Sequence, residues 1–156
     1  MQAGTLELDR VPVRMDEAVV AVVERLGSLA RSAGVEITAE LTPVTVVGDR
    51  RRLEQLVGVL LDNAIRHSPR DAAVVISLRA SAAAVELTVD DRGPGIPPEE
   101  LERVFDRYYR ARTATAGGVG LGLAIARWIS EGHGGTTTAE NRSGGGARFV
   151  VRIPAV

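Results

Sequence analysis

The sequence predicts an α/β protein: a two-layer sandwich in which a mixed, mostly antiparallel sheet of about five strands is covered on one face by three helices. Two observations carry this prediction. Short β-branched and apolar runs, such as 74–78 and 85–89, lie close enough together in the chain to form hairpins. Between such runs lie longer segments, such as 16–33, whose apolar residues have helical spacing.

The remaining elements follow from the same two periodicities. Further strands are predicted at 5–8, 35–41, 44–47, 136–140 and 147–153, and further helices at 50–68, 98–104 and 121–131. Gly34 is placed to end the first helix, and Asp49 to cap the start of the second. No repeat or linker divides the chain, so residues 1–156 are predicted to be a single domain.

Composition excludes several classes of protein. A net charge of −1 gives no electrostatic footprint for nucleic acid or an acidic membrane. The absence of cysteine excludes disulfides and thiolate metal sites. The chain contains no lysine, and both P-loop NTPases and the familiar protein kinases need one. With no long apolar run and no signal peptide, a soluble, cytoplasmic domain is expected. The isolated domain is also expected to be a monomer.

Polar groups interrupt the apolar stripe of the helix at 50–68. Asn63, Arg66 and His67 stand at i, i+3 and i+4 and therefore share one edge. An amide oxygen can complete the oxygen shell of a Mg²⁺ ion that also binds phosphates, and the two basic side chains could meet phosphate or ribose. The alternative is a solvated stripe on a half-buried helix.

A glycine-rich turn, DRGPGIP at 91–97, follows the strand at 85–89. Gly93 and Gly95 permit unusual backbone angles and the close approach of a flat ligand. Asp91 could accept a hydrogen bond from the amine of adenine, whereas guanine would present a carbonyl there and leave an acceptor unpaired. The alternative is a polar turn that merely closes a hairpin.

A second glycine-rich segment, GGVGLGL at 117–123, leads into a helix, where exposed N–H groups and the helix dipole favour an anion. It could also be a flexible linker, although Leu121 and Leu123 would then be exposed. Before it, Phe105 is predicted to be a packing anchor, and Arg107 and Arg110 are either phosphate contacts or plain surface residues. Residues 106–118 are expected to form a mobile loop.

Together these segments resemble the catalytic ATP-binding domain of sensor histidine kinases, in the superfamily shared with gyrase, heat-shock chaperone ATPases and mismatch-repair ATPases. LDNAIRHSP at 61–69 is similar to the N box, DRGPGIP at 91–97 to the G1 box, FDRYYR at 105–110 to the F box, and GVGLGLAI at 118–125 to the G2 box. HGG at 133–135 and GGGARF at 144–149 also resemble the family.

The resemblance implies ATP and Mg²⁺ as ligands, with the metal held through Asn63, adenine read by Asp91, and a flexible ATP lid between the F and G2 boxes. It gives catalytic roles to Asn63 and Arg66. It assigns nucleotide binding to Asn63, Arg66, His67, Asp91, Gly93, Gly95, Ile96, Arg107, Tyr109, Arg110, Gly118, Gly120, Leu121, Gly122 and Leu123. Ala147 departs from the family's usual threonine.

Val59 bears on the reaction. ATP hydrolases of the superfamily carry a glutamate at this position, four residues before the N-box asparagine, and a valine cannot accept a proton. This favours phosphoryl transfer to a protein side chain over ATPase-driven gating. The resemblance implies that the acceptor is a histidine on a separate dimerisation domain of the same parent kinase, in two-component signalling with a response regulator. The alternatives are a degenerate nucleotide-binding or docking domain and an anti-sigma-type serine kinase.

Neither His67 nor His133 lies in the His-acid-Arg-x-Pro setting of an acceptor histidine. We therefore expect an excised catalytic domain that lacks the acceptor hairpin and does not phosphorylate itself. The sequence leaves open whether the parent protein is an inner-membrane sensor.

Overall fold

The structure is a computed structural model that describes residues 6–106 and 122–155. Four α-helices lie in these ranges: α1 (Met15–Arg25), α2 (Gly27–Ala33), α3 (Arg50–His67) and α4 (Gly122–Gly132). The strands are β1 (Val11–Arg14), β2 (Glu36–Leu41), β3 (Thr45–Gly48), β4 (Ala73–Ala80), β5 (Ala84–Asp90), β6 (Thr136–Asn141) and β7 (Ala147–Pro154).

Within the described residues, the main sheet has five strands in the order β2-β4-β5-β7-β6. The β2–β4 pair is parallel, whereas β4–β5, β5–β7 and β6–β7 are antiparallel. Leu87 of the central strand β5 lies opposite Leu78 on one neighbour and Val151 on the other, which aligns the apolar side chains of three strands. The predicted mixed, mostly antiparallel sheet is therefore confirmed.

The helices cover one face of this sheet. Burial alternates along β4 and β5, where Ile76 and Leu87 point into the core while Arg79 and Glu86 lie on the outer face. On the outer face, Arg152 of β7 pairs with Glu86 at 2.9 Å. The side chains that α3 buries in the core are Leu53, Leu56, Val57, Leu60, Leu61, Ala64 and Ile65. These observations confirm a two-layer sandwich.

The capping predictions for two helices are confirmed. Asp49 precedes α3, and its carboxylate accepts a hydrogen bond from the backbone N–H of Arg52 at 3.2 Å. Gly34 follows α2 in the left-handed region with φ of 70°.

The strand predicted at 5–8 is wrong, because residues 6–8 are not part of a strand. The strand in this part of the chain is β1, which pairs antiparallel with β3 in a separate two-stranded sheet. Pro12 hides β1 from a propensity argument, yet a proline is tolerated where no second neighbour needs its missing N–H. The predicted strand at 44–47 corresponds to β3.

Two predicted helices differ from the structure. The segment 16–33 is split into α1 and α2 at Leu26, which has φ of −91° and ψ of 5°, and Gly27 follows it as a weak helix former. In the segment 98–104, Pro98–Glu100 forms one 3₁₀ turn instead of the predicted helix. The hydrogen bonds that follow join residues three positions apart, such as Arg103 N–H to Glu100 O at 2.9 Å, and do not make an α-helix. Within 6–106 and 122–155, no helix has the length and apolar character needed to span a bilayer.

Candidate functional site

The last two turns of α3 carry the polar residues predicted to form a site. His67 Nδ1 lies 2.8 Å from the carbonyl oxygen of Asn63, so Nδ1 must carry the proton in this contact and Nε2 remains for another partner. Arg66 is exposed and donates through Nε to Asp62 Oδ1 at 2.5 Å. The half-buried Asn63 side chain makes no hydrogen bond to any residue in the two described ranges, so its amide is available to a ligand.

The end of α3 touches the first glycine-rich turn directly. Ser68 Oγ accepts a hydrogen bond from the backbone N–H of Arg92 at 3.1 Å. A Cβ atom on Gly93 would lie 2.4 Å from the carbonyl oxygen of His67, a separation that no side chain tolerates. The fold thus brings together two motifs separated by 24 residues in the chain.

Asp91 is the buried charged residue of this turn, with 3% of its surface exposed. Its Oδ1 atom accepts hydrogen bonds from the backbone N–H groups of Gly93 and Ala147, both at 2.9 Å. No residue of the described part of the chain donates a hydrogen bond to Oδ2. The result is a carboxylate with one oxygen held in place by the protein and one oxygen left for another donor.

The other end of the turn is held by Asn141, the last residue of β6. Its Oδ1 accepts from the N–H of Ile96 at 2.8 Å, and its Nδ2 donates to the carbonyl of Ile96 at 2.7 Å. Gly95 has φ of 81°, and a Cβ atom there would lie 2.8 Å from Asn141 Oδ1. The unusual backbone angle predicted for this glycine is present, but protein atoms fill the space beside it.

An ion-pair cluster lies next to Asp91. Arg148 holds Asp90 with two hydrogen bonds of 2.7 and 3.0 Å, and this contact with Asp90 raises the pKa of the Arg148 guanidinium above its ordinary value. Arg142 Nε lies 3.5 Å from the same carboxylate, while its Nη1 donates to the Asp91 carbonyl at 3.2 Å. Neither Asn141 nor Arg142 was identified from sequence. The only signal was a polar pair directly before the glycine-rich turn at 143–146.

The second glycine-rich segment is described from Gly122 onward. Gly122 begins α4 and is exposed, and a Cβ atom there would lie 3.5 Å from Val59 Cγ1. The start of α4 therefore faces the turn of α3 that precedes Asn63. Leu123 is partly buried and packs on the core.

The other residues assigned to this region and the predicted lid lie outside the described residues: Arg107, Tyr109, Arg110, Gly118, Gly120 and Leu121. Phe105, which precedes them, is buried and meets Phe149 edge to face, with ring centroids 6.1 Å apart. Its predicted role as a packing anchor is confirmed.

His133 lies at the end of α4, away from these motifs. As expected for a residue at a helix C-terminus, its Nδ1–H donates to a last-turn carbonyl, that of Ile129, at 2.8 Å. The sequence did not indicate its second contact, in which Nε2 accepts the N–H of Asp49 at 3.1 Å. Burial lowers the pKa of His133 below its ordinary value, which favours the neutral ring that this pair of bonds needs.

The donor set suits a metal held by phosphates rather than by the protein alone. In the described ranges, no three His, Cys, Asp or Glu side chains are arranged to ligate a metal ion. Asn63 offers a side-chain amide oxygen without a hydrogen-bond partner among the described residues, and such an oxygen could join the shell of a Mg²⁺ ion that keeps most of its waters.

Comparison with known proteins gives this arrangement a family. Residues 48–156 match the family model of histidine kinase-, DNA gyrase B- and HSP90-like ATPases. The sensor-like histidine kinase SenX3 of Mycobacterium tuberculosis is 38% identical over 148 residues, which cover 92% of this chain and 36% of SenX3. The chain therefore spans little more than a third of the length of this curated relative.

Solved structures agree. The mycobacterial sensor histidine kinase MprB superposes with a TM-score of 0.86 at 32% identity, covering 93% of this chain and 98% of that structure. Full-length ShkA in complex with AMPPNP superposes with a TM-score of 0.85 at 28% identity, covering 99% of this chain and 33% of ShkA. The chain thus belongs to the histidine kinase-, DNA gyrase B- and HSP90-like ATPase family, in which it corresponds to the catalytic ATP-binding domain of sensor histidine kinases.

Proposed function

We propose that the site binds Mg-ATP and that Asp91 recognises adenine through its free Oδ2 atom. The observation that supports this proposal is that the two oxygens of one buried carboxylate differ in their hydrogen-bond partners. Oδ1 is held by two backbone N–H groups, while Oδ2 has no donor among the described residues. An exocyclic amine supplies the missing donor, whereas the carbonyl of guanine would leave two acceptors facing each other, at a cost of roughly 1–3 kcal/mol.

Asn63 is the residue proposed to hold Mg²⁺. Its side-chain amide is half buried, makes no hydrogen bond within the described ranges, and lies one helical turn before His67, whose carbonyl touches Gly93. Bound Mg²⁺ would neutralise charge on the phosphates, which is its usual contribution to phosphoryl transfer. Arg66 is proposed to act near the phosphates, and to do so it must leave its ion pair with Asp62.

We further propose that the γ-phosphoryl group passes to a histidine on a separate dimerisation domain of the parent kinase, which then serves a response regulator. Val59 supports transfer over hydrolysis. Position 59 is where the hydrolases carry a carboxylate. Here the side chain is apolar, packs against the core and lies beside Gly122 at the start of α4. A valine at this position cannot accept a proton from an attacking water molecule.

Calorimetry tests the binding step. The purified chain should bind ATP in the presence of Mg²⁺, and Asn63→Ala should weaken that binding by at least about 10-fold, with a much smaller effect when Mg²⁺ is replaced by EDTA. Arg51→Ala is the matched control, because Arg51 is an exposed residue at the opposite end of α3. Absence of binding by the unmodified chain would leave only a docking role.

Labelling with γ-³²P-ATP tests the transfer step. The chain alone should acquire no stable label, whereas addition of the parent kinase's dimerisation domain should give labelled protein in that domain. A phosphorylated histidine loses its label in acid and keeps it in base. Label on a partner that is stable in acid and lost in base would instead indicate a phosphorylated serine and contradict the proposal.

A further inference from the structure

Residues at the end of β6 and in the turn that follows it contact both ends of the loop that is proposed to bind the nucleotide. The loop is the six-residue segment 91–96, which begins with Asp91 and ends with Ile96. Two consecutive residues, Asn141 and Arg142, contact these two ends through their side chains. Neither residue belongs to a motif that predicted the site.

Asn141 binds the far end of the loop, at Ile96, with a pair of hydrogen bonds like those that a neighbouring β-strand makes. Its amide both accepts from the N–H and donates to the carbonyl of Ile96, so one side chain satisfies both backbone groups of that residue. The backbone of Asn141 is already set by pairing with Ala147 in the sheet. The hydrogen bonds to Ile96 therefore come from a residue whose backbone is held in the sheet, and the missing Cβ of Gly95 makes room for the Asn141 oxygen.

Arg142 acts on the near end. Its Nη1 bridges the carbonyl oxygens of Asp91 and Gly145 at 3.2 and 3.1 Å, and its side chain is only 17% exposed. Gly146 has φ of 88°, and a Cβ atom there would lie 2.1 Å from the Asp91 carbonyl oxygen. The turn thus packs directly on the backbone of the residue proposed to read the base.

We infer that Asn141 and Arg142 are positioning residues for base recognition, which hold the loop so that Oδ2 of Asp91 keeps its orientation toward adenine. This inference rests on the proposed function of Asp91. Oδ1 of that residue is fixed by the N–H groups of Gly93 and Ala147, and Gly93 lies between the two clamped ends. Loss of the Ile96 contacts removes the support on the far side of Gly93, so the N–H of Gly93 holds Oδ1 less firmly even though Gly93 still packs against His67.

The contact between Asn141 and Ile96 is tested first without nucleotide. Amide hydrogen exchange measured by NMR should show Ile96 protected in the unmodified chain and at least about 10-fold faster in Asn141→Ala, since a solvent-facing N–H without an acceptor exchanges freely. Asn141→Asp keeps the acceptor but sets its second oxygen against the Ile96 carbonyl, so its protection of Ile96 should lie between those of asparagine and alanine. Thr138→Ala, an exposed change on the same strand, should leave Ile96 unaffected. An unchanged exchange rate in Asn141→Ala overturns the inference.

The second arm compares ATP with inosine triphosphate, which has a carbonyl in place of the adenine amine. Asn141→Ala should weaken ATP binding about 5- to 20-fold and reduce the preference for ATP by a similar factor, because only the base contact depends on the loop. A merely structural defect would weaken both nucleotides equally and leave the preference intact. That outcome overturns the inference.

Asp91→Asn separates this failure from that of the proposed function. If Asp91→Asn removes the preference for ATP and Asn141→Ala does not, the inference fails and the proposed function stands. If the unmodified chain has no preference for ATP, or Asp91→Asn does not alter it, the proposed adenine contact fails and the inference falls with it.

Discussion

Gly93 and His67 meet so closely that the nucleotide loop and the last turn of α3 act as one unit. The His67 carbonyl oxygen occupies the place where a side chain at position 93 would begin, 2.4 Å from an ideal Cβ. The obstacle is backbone rather than a flexible side chain, so it cannot rotate away. The glycine in this motif is therefore required by packing between two motifs, independently of any ligand.

Gly93→Ala should destabilise the protein by about 1–3 kcal/mol, the usual cost of forcing extra atoms into a packed site. It should also weaken ATP binding, because the loop must move away from α3. Urea unfolding followed by circular dichroism measures the first effect and calorimetry the second. Gly144→Ala is the control, since a Cβ atom at Gly144 would have no neighbour within 4 Å. Equal unfolding midpoints for the two variants would contradict the packing argument.

His133 should make stability depend on pH. Burial, the largest cause, lowers its pKa below the ordinary 6.5, and protonation would turn Nε2 into a donor facing the N–H of Asp49. The unfolded chain then binds more protons than the folded one, so this contribution is fully present above about pH 6.5 and is lost as the pH falls through the folded-state pKa. The urea unfolding midpoint of the unmodified chain should therefore fall as the pH is lowered from about 8 to about 5.

His133→Gln supplies the comparison for that prediction, because an amide can still offer an acceptor to Asp49 and does not titrate in this range. The variant should start less stable and decline less steeply over the same interval. Parallel declines would show that another group controls the pH dependence.

The regular elements could be predicted where the sequence carries both a period and an end signal. In α3 the apolar stripe, the Asp49 cap and the polar last turn agree, and the structure begins and ends this helix within a residue of the prediction. The break at Leu26 could not be predicted, because apolar spacing continues across it. Strand β1 was missed because its partner β3 lies about thirty residues away, and pairing at that distance leaves no local signature.

The candidate site likewise contains some residues that the sequence could identify and others that it could not. Asn63 and Asp91 stand in motifs whose composition is unusual for a helix and a strand end, and the structure places their elements side by side. The contacts of Asn141 and Arg142 depend on which backbone groups the folded sheet brings to them. No spacing within residues 136–147 specifies those partners.

Asp91→Asn should change which base the site prefers. The asparagine oxygen can still accept from Gly93 and Ala147, so its NH₂ group must take the place of Oδ2. A donor would then face the adenine amine, and ATP affinity should fall roughly 5- to 150-fold while inosine triphosphate gains relative to ATP. Competitive titration of the two nucleotides measures the ratio, with Glu140→Gln as an exposed control. A uniform loss for both nucleotides would argue against base reading by this carboxylate.

Val59→Glu should introduce slow hydrolysis of Mg-ATP. The position lies beside Gly122 at the start of α4, one helical turn before Asn63, and its side chain is half buried. A well-positioned general base contributes roughly 100- to 10,000-fold, so an introduced carboxylate at this position should raise phosphate release at least about 10-fold. Val59→Gln is the matched variant, with nearly the same shape and no basic group, and it separates proton abstraction from any loosening of the helix. Both variants exchange an apolar side chain for a polar one, so circular dichroism must first show comparable folding. Equal release by Glu and Gln would mean that valine at this position is not what restrains hydrolysis.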